Sequence, residues 1–484
     1  MRGVHSAVDD IRRSVFTEVA RLAYEYDEND QDKVDLIPYK LVPGDIAKHR
    51  HDVYLERAVI IARVRLALGM NIDIGGHLST HINEAVTDQK YFENPLVNVI
   101  HSACNACPTK QIRITDSCQG CISHPCMNVC PKDAIYLDKE KHCHIDQSKC
   151  IKCGKCFNQC PYRAISYIER PCAAACGMCL VNCPFGAIAD KSQIFQLITA
   201  IRRGEEVIAC VAPAFVGQFG KDATPAKLKT AMRILGFADV VEVAIGADLC
   251  TVQEAQDFLE EVPEKQAWMG TSCCPAWSMM AKTMFPEFKD NISMALTPMV
   301  ITARMVKKDH PNARIVFIGP CAAKKLEANR RTVRSDVDFV LTFEELLGMF
   351  DAKDIDFATI EADPADDMDE GSGMGRGFAV GGGVAAAVVE AIKHIAPDRE
   401  ILVEHADGLK ECKKMLMMAK AGKRDGYLLE GMACPGGCVA GAGTIRPVKE
   451  SMANVEKFKN AAPEQSCTTS PFLNRLEEVE KKYE

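Results

Sequence analysis

The chain has 484 residues, 47% hydrophobic and 26% charged, with a formal net charge of −8. That balance suits a soluble globular protein of two or three domains, and the lack of a long basic run argues against nucleic acid as a partner. The opening residues MRGVHSAVDDIRR hold no apolar signal core, and the longest apolar stretch, 378–392, is interrupted by Glu390 and too short to span a bilayer. A cytoplasmic protein without membrane contact is therefore expected.

In chain order, residues 1–100 read as helical. Over 9–26, Ile11, Val15, Val19, Leu22 and Tyr26 fall near one face at helical spacing, and 54–69 has the same character with Gly69 as its stop. No chemistry is visible in this stretch, so a small helical domain or docking surface is expected. Residues 101–192 are cysteine-rich and repetitive. Cys130-Pro131, Cys160-Pro161 and Cys183-Pro184 each end a unit and are each followed shortly by Ala-Ile. Such short units hold too little apolar core to fold without metal. Residues 193–484 alternate strands (207–212, 240–245, 266–270, 314–319, 338–342, 401–404, 427–430) with helices such as 251–259, 298–308 and 384–395. That alternation predicts an α/β domain with a largely parallel sheet.

Cysteine usage sets the chemistry. None of the 24 cysteines precedes Cys104; most crowd between Cys104 and Cys183, and the rest run from Cys210 to Cys467. Dense cysteines in a small secreted protein mean disulfides, but CxxC runs in a large chain without a signal point to metal. Cys150, Cys153, Cys156 and Cys160-Pro161 form the C-x2-C-x2-C-x3-C-P run of two-cluster ferredoxins, whose fourth cysteine serves the other cluster. Cys118, Cys121, Cys126 and Cys130-Pro131 are a variant with a longer middle gap. The expected pairing is Cys118, Cys121 and Cys126 with Cys160, and Cys150, Cys153 and Cys156 with Cys130. A zinc ribbon is the bland alternative, which rarely carries this spacing twice. A third, irregular run, Cys172, Cys176, Cys179 and Cys183, leaves a third cubane open. Cys104 and Cys107 have no assigned role, Cys143 reads as a spare thiol, and His101 and His124 as ordinary histidines.

Three further motifs follow predicted strands: Thr271-Ser-Cys273-Cys274-Pro-Ala-Trp277, Pro320-Cys321-Ala-Ala-Lys324-Lys-Leu-Glu327 and Glu430-Gly-Met432-Ala-Cys434-Pro-Gly-Gly-Cys438. Ligands of open α/β sheets gather at strand C-terminal ends, so distant motifs can converge there. Cys274, Cys321, Cys434 and Cys438 would supply four thiolates, with Gly436 and Gly437 allowing close backbone approach. The run 371–377 is glycine-rich but lacks a GK[ST] ending, so it reads as a backbone wrap rather than a phosphate loop.

Together these three motifs resemble the signatures of the iron–iron hydrogenases over the whole C-terminal half, and a ferredoxin-like segment in front is common in that family. The resemblance implies an H-cluster, a 4Fe–4S cubane joined to a two-iron subsite bearing CO, cyanide and a bridging dithiolate amine. Cys274, Cys321, Cys434 and Cys438 would hold the cubane, with Cys438 bridging to the subsite. Cys273 would relay protons, Lys324 would bond a cyanide, and Met432 would pack on the subsite, beside Pro213 and Ala214. The proton route would continue through Glu254, Ser293 and Asp257. Four positions depart from the better-known members: Asp257 replaces a glutamate, Gly319 a methionine, Ala214 a serine and Met299 a glutamine. A divergent subgroup is implied.

The architecture expected is a helical region (1–100), a ferredoxin-like α+β domain (101–192) and an α/β catalytic domain (193–484). The expected function is anaerobic, reversible reduction of protons to dihydrogen. Electrons would come from a ferredoxin-type low-potential carrier through two 4Fe–4S clusters, with a third open, and maturation proteins would install the subsite. A hydrogen sensor or regulatory relative, and an iron–sulfur scaffold lacking the subsite, are the alternatives.

Overall fold

The computed structural model of the chain describes Gly3 and residues 6–27, 31–72, 85, 95–104, 110–114, 118–162, 164–169, 176–330, 333–368 and 370–480. Cys107 and Cys172 lie outside these residues. Met1–Ala103 and Ala173–Glu484 form one compact unit and Cys104–Cys172 a second. The expected boundaries at 100 and 192 do not coincide with this grouping, because the N-terminal helices and the third cysteine run fold with the α/β region.

The larger unit is built on two parallel sheets. In the first the strand order is Phe339–Thr342, Arg314–Gly319, Val207–Val211, Asp239–Glu242. The second runs Leu402–Asp407, Tyr427–Met432, Met269–Gly270. The central strands Val207–Val211 and Arg314–Gly319 are almost wholly buried and apolar, as strands covered on both faces must be. The sheet class thus agrees with the strand–helix alternation, but some bounds shift. The strand expected over 240–245 stops at Glu242, because the helix Ala244–Glu261 begins there and absorbs 251–259. Only Met269–Gly270 of the stretch 266–270 pairs, while the strands expected at 401–404 and 427–430 run on to Asp407 and Met432.

The first helix, Ala7–Glu25, buries Val15, Val19 and Leu22 in the same core as Phe195, Val316 and Leu346. Arg12 is buried with it and forms an ion pair with Glu344 at 2.9 Å. Its apolar stripe is therefore core of the α/β unit, rather than a separate domain or a free docking face. The helix Ala244–Glu261 packs so closely on Pro298–Asp309 that a Cβ at Gly246 would meet the Pro298 carbonyl oxygen at 2.4 Å. No described helix is long and apolar enough to cross a membrane.

The smaller unit is α+β. Lys110–Ile114 pairs antiparallel with Ile165–Glu169, and Ile135–Leu137 with Cys143–Ile145, beside the short helices Pro125–Asn128 and Lys155–Gln159. Among its described residues Ile112, Ile135 and Ile165 pack with Cys126, Cys143 and Cys156 in one buried cluster, flanked by Ile114, Met127, Val129, Leu137 and Ile145. Cysteine thus supplies three of the six buried residues of that cluster.

Candidate metal centres

Each of the three C-terminal motifs leaves a sheet at a strand's C-terminal end. Cys273 and Cys274 follow Met269–Gly270, Cys321 follows Arg314–Gly319, and Cys434 and Cys438 follow Tyr427–Met432. A fourth strand, Val207–Val211, delivers Pro213 and Ala214 through a single 3-10 turn. These ends enclose a cavity of about 540 Å³ counted with its open side. Its lining includes Cys273, Cys321, Cys438, Lys324, Met432, Pro213, Ala214 and Met299. Cys274 abuts the same place: it packs with Cys321 on Ala276, Ala323 and Ala433, and its sulfur accepts the Ala433 N–H at 3.5 Å. Cys434 is buried four residues before Cys438, and its carbonyl accepts the Gly437 N–H at 3.0 Å. No described cysteine is joined in a disulfide.

The electrostatics suit an anionic group between a cation and neutral thiols. Burial pushes Cys321 up to about 11 and raises Cys273, Cys274 and Cys438, so a bound metal would have to ionise any of these thiols that ligate it. Burial works against the Lys324 charge, but Glu327 at 2.7 Å outweighs it and holds the ammonium charged. Lys324 Nζ also donates to the Cys273 carbonyl at 3.3 Å. The backbone is shaped for close approach. Gly437 sits at φ +86°, and a Cβ there would strike the Gly381 nitrogen at 2.4 Å; one at Gly441 would strike the Pro320 carbonyl oxygen at 2.3 Å. The donor set, the buried cation and this tight glycine cradle fit a bulky anionic cluster.

A polar path leads out of the cavity. Ser272 donates to Glu254 Oε1 from its backbone N–H at 2.9 Å and its hydroxyl at 3.1 Å. Glu254 is fully buried, and burial lifts it to about 7 despite hydrogen bonds from Ser272 and Ser293. The Ser293 oxygen accepts the Ala295 N–H at 3.1 Å, which leaves its hydrogen for Glu254. Asp257 lies one helical turn beyond Glu254 and shares with Ser293 a second, more polar cavity that also takes in Glu261 and Asp290. Asp257 too is raised by burial and accepts from Gln253 at 3.2 Å.

Phe317, Val243, Phe378 and Ala379 also line the metal cavity, although no motif singles them out. One had a visible signal. Phe317 stands two residues before Gly319 on one strand, hence on the same face, and a Cβ at Gly319 would meet its ring at 2.4 Å. The ring occupies the space a side chain at 319 would need. The run 371–377 closes into the helical turn Gly373–Gly377, anchored by buried Arg376 on Glu242 at 2.8 Å, and presents Phe378 to the cavity.

In the smaller unit, Cys126, Cys143 and Cys156 are buried together, with Cys118, Cys130 and Cys160 packed against them. Cys121 has Cys126 as a neighbour, and Cys150 and Cys153 have Cys156. These contacts gather cysteines of both expected triplets in one small core, and the two triplets and their completion by Cys130 and Cys160 stay a proposal. A small core this rich in thiols is the donor set that two cubanes would use.

Cys176, Cys179 and Cys183 of the third run belong to the larger unit, and their turn repeats the backbone of the second run. Gly154 (φ 75°, ψ −3°) starts the helix Lys155–Gln159 and Cys160 (φ −77°, ψ 111°) ends it; Gly177 (φ 75°, ψ 0°) starts Met178–Asn182 and Cys183 (φ −78°, ψ 104°) ends it. Cys176, Cys179 and Cys183 thus stand where Cys153, Cys156 and Cys160 do. The place matching Cys150 falls on Ala173, one residue after Cys172. This turn adjoins the first cavity: Cys176 packs with Cys274 and Cys321, and Leu180 with Ala322 and Ala442. Buried Lys325 fixes the arrangement by bridging Asp190 at 2.8 Å and Glu345 at 2.7 Å.

The family model for the C-terminal domain of the iron-only hydrogenase large subunit matches residues 205–442, and that for the 4Fe-4S binding domain matches 144–166. Iron hydrogenase 1 of Clostridium pasteurianum is 30% identical, over 68% of this chain and 70% of that protein. The periplasmic [Fe] hydrogenase large subunit of Nitratidesulfovibrio vulgaris is 32% identical, over 63% and 87%. A more distant relative is cytosolic iron-sulfur assembly component 3 of Bos taurus, 23% identical over 54% and 66%. Among solved structures, the apo [FeFe]-hydrogenase HydA1 of Chlamydomonas reinhardtii aligns with a TM-score of 0.49 at 23% identity, over 58% of this chain and 90% of that one. With its cysteine motifs gathered at the sheet ends and these relatives at this coverage, the chain belongs to the iron-only, or FeFe, hydrogenase family.

Proposed function

We propose that the chain is a hydrogenase interconverting protons, electrons and dihydrogen, with an H-cluster held by Cys274, Cys321, Cys434 and Cys438. One observation carries this reading: a thiol outside the cubane set, Cys273, shares an apolar cavity with the Lys324 ammonium, Met432 and Cys438. A cubane alone needs its four thiolates. A second, diatomic-ligated subsite also needs a proton donor, a cation for its anionic ligands and a dry wall, and these are the extra groups present. When bound, the H-cluster supplies the redox chemistry of hydrogen.

The polypeptide's part is ligation, water exclusion and proton movement. Cys273 keeps its proton because burial and the neighbouring Glu254 and Glu430 oppose a thiolate. It can therefore give a proton inward and be recharged by Glu254, whose value of about 7 lets it hold or release one near neutral pH. Ser293 passes protons between Glu254 and the polar cavity that Asp257 lines. Lys324, held by Glu327, would supply the cation for an anionic ligand of the subsite, and Cys438 would be among the thiolates that hold the cluster. The two cubanes that the smaller unit would hold would supply the redox centres for electrons from a low-potential ferredoxin-type carrier, and a third on the Cys176–Cys183 turn stays open. Maturation proteins insert the subsite, and we place the enzyme in the cytoplasm of an anaerobic cell.

The likeness to a cytosolic iron-sulfur assembly component favours a second reading, a cluster scaffold without the two-iron subsite. That role gives Cys273 and the Glu254 path nothing to do. The test is hydrogen evolution from reduced methyl viologen by anaerobically matured protein. Evolution that disappears in Cys273→Ala supports the enzyme; full cubane content with no evolution supports the scaffold.

A further inference from the structure

Cys143 belongs to neither cysteine run, yet it is not placed at random. It opens the strand Cys143–Ile145, paired with Leu137, and is only 2% exposed. Its sulfur lies 3.8 Å from that of Cys126, and its other sulfur neighbour is Cys118. Both are in the triplet proposed to hold the first cubane. A cube sends its ligands outward from separate corners, so a sulfur touching that of Cys126 is badly placed to take another corner. Once iron holds Cys126, that sulfur is a thiolate without a proton, and the only hydrogen left between the pair is the one on Cys143.

We propose that Cys143 is a positioning and tuning residue that donates an S–H···S hydrogen bond to Cys126 and raises the reduction potential of the first cubane. This rests on the assignment of Cys118, Cys121 and Cys126 to that cubane. A donor to a cluster sulfur stabilises the reduced, more negative state, one of the ways a protein sets cubane potential. Cys156, the matching residue of the second triplet, has as its thiol neighbours Cys150 and Cys153, both proposed ligands of its own cubane. The hydrogen bond therefore separates two otherwise similar clusters, making the first the easier to reduce and giving electrons a preferred place to rest.

The test uses the full-length protein, reconstituted anaerobically, with iron and sulfide content and a redox titration followed by EPR. Wild type must first show two cubane signals of the smaller unit, which checks the underlying assignment separately. In Cys143→Ala both signals should persist, and one should become about tenfold harder to reduce, a shift of roughly 59 mV to lower potential for one electron. Cys143→Ser keeps a donor and should restore most of the shift. Loss of one cubane from both variants would make Cys143 a ligand and overturn the proposal, as would unchanged potentials in Cys143→Ala.

Discussion

The two sets of thiols are presented in opposite ways. Cys274, Cys321, Cys434 and Cys438 hang from the ends of buried parallel strands, whose hydrogen bonds and apolar packing owe nothing to iron. Cys118 to Cys160 hang from short turns and hairpins whose described buried cluster is half cysteine, flanked by a few small apolar side chains. The pocket at the sheet ends is thus preorganised by the polypeptide, whereas we propose that the smaller unit depends on bound clusters for its order. The third run, Cys176 to Cys183, is an intermediate case: it copies the Gly154 turn but borrows the core of the larger unit.

Removing iron should widen this contrast most. Anaerobic chelation should leave the strands Val207–Val211 and Arg314–Gly319 protected in hydrogen exchange, while amides across 118–162 exchange freely, because metal binding there is also folding energy. Equal protection of both regions would break the comparison. The next largest effect concerns the proton path. Glu254→Gln keeps an oxygen for Ser272 but cannot titrate, so hydrogen turnover of the matured enzyme should fall by roughly 10²–10⁴-fold with iron content unchanged. A drop below tenfold would mean that protons bypass this helix. Gly437→Ala puts a side chain at φ +86° against the Gly381 backbone, and strain of about 1–3 kcal/mol should appear in denaturant unfolding of the apo-protein.

A further effect is on pH. Glu254, Glu430 and Asp248 are each raised to about 7, chiefly by burial, from ordinary values near 4. The folded chain thus binds these protons more tightly than the unfolded chain, so this contribution to stability is complete at low pH and declines as pH rises from about 4 to about 7. The melting temperature of the apo-protein should fall over the upper part of this window, between pH 5.5 and about 7.5, and Glu254→Gln should flatten the fall. A melting temperature that rises across that interval would show that other groups dominate.

Much of the site was legible because each cysteine motif ends a strand, and strand ends of a parallel sheet converge. Lys324, Met432, Pro213 and Ala214 reach the cavity for that reason, and Met299 from the start of the helix Pro298–Asp309. What escaped the sequence depends on contacts between distant residues. The helix Ala7–Glu25 looked detachable because nothing local shows that Arg12 meets Glu344 across the chain. Strand bounds slipped at Glu242, where a run of β-formers gives way to a helix packed through Gly246. Cys143 looked spare because its spacing fits no motif, and only hairpin register sets it beside Cys126. Phe317 required knowing that an aromatic two residues from a glycine folds over it.

The central claim is that this preorganised pocket holds a two-iron subsite and not a cubane alone. Infrared spectroscopy of anaerobically matured protein tests it most directly. The account predicts CO and cyanide stretching bands alongside the cubane EPR signals, and a shift of the cyanide bands in Lys324→Met. Cubane signals of full intensity with no such bands after maturation would contradict it.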